Sequence, residues 1–91
     1  MASEQNVLYT KSGTATGAHV ALETAHPTKY DHWVIKNTQS SAGDTIEIKI
    51  NGSAAIVLAG SESLSLDITA SPENVTVKEN GHGYRVIGTG R

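Results

Sequence analysis

Residues 44–68 contain the feature that most restricts the fold. Ile46, Ile48 and Ile50 alternate with Glu47, Lys49 and Asn51, a period of two that puts the isoleucines on one face of a strand and the polar residues on the other. Asn51-Gly52 follows at once. Both residues tolerate φ > 0, which a type I′ hairpin turn requires. Ala54–Leu58 reads as a short apolar return strand, broken by Ala59-Gly60-Ser61-Glu62. Leu64, Leu66 and Ile68 then alternate with Ser63, Ser65 and Asp67 as a third strand. The expectation is a three-stranded meander whose apolar face feeds the core and whose polar face carries no reactive set.

The remaining chain continues in the same manner. Val7–Thr10 reads as a strand ended by Lys11-Ser12-Gly13-Thr14, and Ala15–Leu22 as a second, built of small residues. Thr24–Asp31 is a polar connection in which Pro27 biases His26 toward extended backbone. In His32–Asn37 the β-formers Trp33 and Ile35 share one face, opposite His32, Val34 and Lys36. Val75 and Val77 mark a further strand, and Tyr84–Ile87 a last one with a Gly-Thr-Gly tail. The best helical window, Ser71–Glu79, is spoiled by Pro72 and three β-branched residues. About eight short strands, with turn signals roughly every 8–12 residues, point to an all-β fold. The expected form is a small antiparallel β-sandwich, jelly-roll or Ig-like, with a barrel as the alternative. Residues 7–91 form its single domain, and 1–6 a flexible N-terminal arm.

Composition bounds the function. With 91 residues, no Phe and one Met, the core must be thin and filled by Leu and β-branched residues. There are no cysteines, so disulfides and thiolate metal sites are excluded. A small domain without such staples commonly gains stability by association. A net charge of −2 with both signs scattered provides no basic face for nucleic acid. No apolar run approaches membrane-spanning length, so membrane insertion is not expected. Met1–Asn6 lacks the basic and apolar regions of a signal peptide, which points to synthesis in the cytoplasm.

Motifs for chemistry are sparse. His19, His26, His32 and His82 lack the short spacings of a metal centre, and Asp31 and His32 point to opposite faces of a strand. Ser61 lies in Gly60-Ser61-Glu62 without the Gly-x-Ser-x-Gly elbow or a following helix. The chain is therefore expected to be no enzyme, with no catalytic residues, no metal and no cofactor. The candidate site residues are candidates for contact. Val7, Leu8, Tyr9, Tyr30 and Tyr84 are suited to an interface, because sheet edges invite strand addition and Tyr is amphipathic. Trp33, in register with Ile35, reads as a core residue; the alternative is a stacking platform for a sugar ring.

The strings "HWVIKNTQSSAGDTIEIKINGSAAIVLAGSESLSLDI" and "ENVTVKENGHGYRVIGTG" resemble small accessory virion proteins of tailed bacteriophages. The matching pieces are Val34–Asn37, Leu58–Ser63, Leu64–Asp67, Asn74–Lys78 and Val86–Gly88, over about the last two-thirds of the chain. The resemblance implies a capsid decoration, head-fibre or tail-associated protein located in the virion. Its partners would be phage capsid or tail proteins and sister subunits in a homo-oligomer, with a trimer favoured. It implies no catalytic residues. The alternative is a carbohydrate-binding or host-adhesion module using Trp33.

Overall fold

The structure is a computed structural model that describes residues 7–78 and 81–90. The expected arm, 1–6, lies outside the described residues. Eight strands follow in order: β1 (Val7–Thr14), β2 (Val20–Ala21), β3 (His32–Asn37), β4 (Ile46–Ile50), β5 (Ile56–Leu58), β6 (Ser63–Leu66), β7 (Val75–Lys78) and β8 (Gly83–Gly90). A 3₁₀ turn, Pro72–Asn74, leads into β7. The first sheet has the order β1-β8-β3-β6 and the second β2-β7-β4-β5. Every pairing between the named strands is antiparallel.

The order has a simple logic. β1 pairs with β8, β2 with β7, β3 with β6 and β4 with β5. The chain is thus one long antiparallel ribbon, doubled at the β4–β5 hairpin and wrapped so that alternate pairs fall in opposite sheets. This is the jelly-roll arrangement, and of the two sandwich forms expected it is the one adopted. Asn51-Gly52 sits at the ribbon's apex. Asn51 has φ 53° and Gly52 φ 75°, and Ser53 N–H donates to the Ile50 carbonyl at 3.0 Å, as a type I′ turn requires. The return strand begins at Ile56 rather than Ala54. The register Ile48↔Ile56 leaves one extra residue on the β5 side, a bulge, and the Ser53 hydroxyl accepts from Ile50 N–H (3.2 Å) in place of a ladder partner.

Three other expectations are corrected. Residues 44–68 are not a meander: β5 and β6 lie in different sheets, and residues 59–62 carry the chain between them. Lys11–Thr14 does not end β1, which runs to Thr14, and β8 extends through Gly90. Gly13, read as part of a breaker, and Gly88, read as part of a tail, are spaces for aromatic rings. A Cβ on Gly13 would meet the Tyr84 hydroxyl at 2.9 Å, and one on Gly88 the Trp33 ring at 3.2 Å and the Tyr30 ring at 3.3 Å. Strand glycine often marks such close approach. Ala15–Leu22 shrinks to the two residues of β2, because Ala15 bonds instead to the β7–β8 turn through His82 O and Gly81 N.

The core lies between the sheets. Trp33, Ile35, Ile46, Ile48, Val75 and Val86 are completely buried, each at an inward position of its strand. Each such aliphatic contributes about 1.5–3 kcal/mol by leaving water. Asn37 is equally buried. Its Nδ2 donates to the carbonyls of Asp44 (2.7 Å) and Leu58 (3.0 Å), and its Oδ1 accepts from Gln39 N–H (2.9 Å). Its own backbone bonds to Glu62 O and Ser61 N. One side chain on β3 thereby holds the entry to β4, the exit of β5 and the crossover to β6.

Asn37→Ala would leave two carbonyls, one buried and one half-buried, without these donors. We expect a loss of about 3 kcal/mol, or more than about 10 °C in Tm for a domain this small. Thermal unfolding followed by far-UV circular dichroism checks it. Gly52→Ala, at an exposed turn, should cost clearly less.

Candidate functional site

Two clusters of polar and aromatic side chains stand out, both at the end of the first sheet where β1, β3 and the β2–β3 connection meet. The first is internal. Tyr9, His26, Tyr30 and Trp33 pack ring against ring, with centroids 5.1 Å apart for Tyr9–His26, 5.6 Å for Tyr9–Tyr30 and 5.8 Å for Tyr30–Trp33. Their polar atoms are mostly paired. The Tyr9 hydroxyl donates to Glu23 Oε2 (2.9 Å), and Lys11 Nζ donates to Leu22 O (2.7 Å) while lying 3.4 Å from the same carboxylate oxygen. His26 Nε2 shares a hydrogen bond with the Tyr30 hydroxyl (2.9 Å), and His26 N–H donates to Glu73 Oε2 (2.7 Å). Trp33 Nε1 is buried without a partner. The hydrogen bond from Tyr9, supported by Lys11, holds the Glu23 carboxyl below its ordinary value. Burial, and then the same carboxylate, push the Tyr9 hydroxyl well above the usual tyrosine value.

The second cluster is external. On the outer face of the first sheet, His32 Nδ1–H donates to Asp67 Oδ1 at 2.7 Å, and the Ser65 hydroxyl lies 3.1 Å from His32 Nε2. Asp31 accepts from the Thr69 hydroxyl at 3.1 Å beside them. Serine, imidazole and carboxylate thus stand in the order of a hydrolase triad. The surroundings differ from those of one. The Asp67 side chain is 92% exposed and the His32 side chain 39%, so water competes for every bond. An open sheet face supplies no walls to exclude it. The arrangement works as a cross-strand polar clasp between β3 and β6.

Cross-strand register creates both clusters, and sequence reasoning missed them for that reason. His32 and Asp67 are 35 positions apart, and only the β3–β6 pairing makes them neighbours. The four histidines lie in four separate places. His19 contacts Thr76 and Glu47, and His82 Nδ1–H donates to the Thr45 carbonyl (2.6 Å). Among the described residues no three His, Asp or Glu side chains converge as a metal site would need.

The contact candidates divide. Leu8 is 64% exposed, and Val7 begins β1. Tyr9, Tyr30 and Tyr84 are buried within the chain and serve the core rather than a surface. Trp33 is fully buried. A ring enclosed by Tyr9, Tyr30 and the space over Gly88 has no face to offer a sugar, so the stacking alternative loses its platform. Inward register with Ile35 is the physical reason.

No protein-family model matches the chain, and neither does any curated protein. Among solved structures, a chain of the Bacillus endospore appendages, a family of disulfide-linked pili, is similar in fold. The TM-score is 0.52 over 96% of this chain and 88% of that chain, at 15% identity.

Two outcomes follow from this geometry. Trp33 is the single Trp, so its fluorescence should be blue-shifted and several-fold less quenched by acrylamide than that of the unfolded chain. Because the Glu23 carboxyl is lowered, its pairing adds stability that is whole at neutral pH and lost as pH falls below the ordinary carboxylate range. Glu23→Gln should therefore be less stable than the parent at pH 7, and the gap should close in acid. Urea midpoints measured across pH check the sign.

Proposed function

We propose that this chain is a non-enzymatic structural module that assembles with copies of itself and docks on a larger protein lattice. The observation that supports this is where its apolar surface lies. Leu8, Val20 and Val57 are the large hydrophobic residues exposed among the described residues, at 64%, 51% and 57%. They sit on β1, β2 and β5, three of the four edge strands of the two sheets. An open strand edge carrying an exposed apolar side chain is where a neighbouring chain binds, because backbone groups and apolar surface are satisfied together.

Within that class we favour an accessory protein of a tailed-phage virion, on the sequence resemblance already given. Capsid or tail proteins would supply the lattice, and many weak copies would gain by avidity. The pilus chain of similar fold supports a subunit role in a general sense: the fold serves there in an extended assembly. Disulfide links of that kind are not open to these 91 residues, which contain no cysteine.

The test is size in solution. Light scattering or sedimentation over micromolar to millimolar concentrations should show an oligomer, a trimer on the favoured reading. Val20→Lys and Val57→Lys should shift it toward monomer with little change in Tm, since both side chains are already largely in water. A strict monomer at millimolar concentration, with no binding to tailed-phage particles, would overturn the proposal.

A further inference from the structure

The outer face of the first sheet is a grid. Strand registers place Leu8, Thr89 and His32 in one row, with Asp67 joined to it through His32. Thr10, Ile87, Val34 and Ser65 form the middle row. Ser12, Arg85, Lys36 and Ser63 form the third. The rows differ in charge. Asp67 lies in the first, with Asp31 adjoining it; the middle row is uncharged, and the third has Arg85 and Lys36. The corresponding face of the second sheet is unlike it. Glu47 pairs there with Lys78, Lys49 lies opposite Thr76, and His19 contacts Glu47, so opposite charges intermingle as on an ordinary solvated surface.

We propose that the grid is a self-complementary docking face for a second copy of this chain. The inference rests on the assembly reading above and names the surface that one of the contacts uses. A two-fold axis lying along the middle row sets the first row of one subunit against the third row of its partner. Asp67, in the β6 column, then lies one strand spacing from Lys36 of the second copy, in the β3 column, and this diagonal opposition occurs twice, once on each side of the axis. Ile87 and Val34 meet their own copies at the centre. An isologous contact requires this kind of self-match, and charge opposition of this kind fixes its register. The clasp assists. With Nδ1–H of His32 donating to Asp67 and Nε2 bonded to Ser65, the imidazole reaches the contact with its hydrogen-bonding groups already used, which lowers the cost of drying it.

The face is small. Four strands at about 4.8 Å and three rows at about 6.8 Å would bury roughly 800 Å² in total, short of the ~1,200–2,000 Å² of a stable complex. The contact is therefore a weak one, of the kind a lattice multiplies.

Sedimentation equilibrium of the full chain up to millimolar concentration tests it, with near-UV circular dichroism and Tm confirming that each variant is folded. Val34→Lys should abolish association through this face. Asp67→Lys alone, and Lys36→Glu with Arg85→Glu, should each weaken association by at least about tenfold. Combining all three should restore it, because the charge pattern is inverted but still complementary. If the parent associates and these variants associate equally well, the grid is not the contact, and the assembly reading stands on the strand edges alone. If the parent is monomeric throughout, the grid contact falls, and the assembly reading falls with it when binding to tailed-phage particles is also absent.

Discussion

Asn37 is the point on which the wrapping of the ribbon depends. A jelly roll must send its chain repeatedly from one sheet to the other, and each crossing leaves backbone groups that no ladder satisfies. Here the Asn37 amide reaches from β3 into the second sheet and takes two of those carbonyls, Asp44 O and Leu58 O. Its main chain takes Ser61 and Glu62 at the next crossing. A hydrophobic residue at this inward position would pack, yet it would strand those carbonyls. The buried amide uses both of its donor hydrogens and its acceptor oxygen, which is why a polar group is tolerated among isoleucines.

Around that pin the core is aliphatic at one end and aromatic at the other. Ile46, Ile48, Ile35 and Val86 need only alternate along their strands to be buried. The aromatic end needs more. Trp33 fits there because Gly88 leaves space beneath it, as Gly13 does for Tyr84 beside Asn37 at the other end of the sheet, and Tyr9 is anchored by Glu23, with Lys11 alongside. Large rings in a thin domain are accommodated by removing side chains opposite them, so the two glycines belong to the packing of the rings.

The division of labour between the outer faces follows from the same economy. One face mixes opposite charges and has the look of a surface that stays in water. The other segregates charge into two end rows around an uncharged middle. Exposed apolar residues gather on edge strands. The Ser65–His32–Asp67 clasp differs from a buried triad in that its carboxylate stands almost entirely in solvent.

What could be read without coordinates was local. Period-two alternation gave β3, β4 and β7 nearly to the residue, and Asn51-Gly52 marked the ribbon's apex, because strand patterning and turn chemistry act over a few positions. Trp33 in register with Ile35 was legible as core for the same reason. Everything that joins distant segments was decided by tertiary structure. Gly13 looks like a breaker and Gly88 like part of a tail until Tyr84 and Trp33 lie over them. Ser65 and His32 look like unrelated polar residues until β3 and β6 pair. Residues 44–68 look like a meander until Asn37 draws β5 and β6 toward different sheets. The physical reason is that sequence period determines which face a side chain takes, while strand partners and register emerge only when the whole ribbon closes on one shared core.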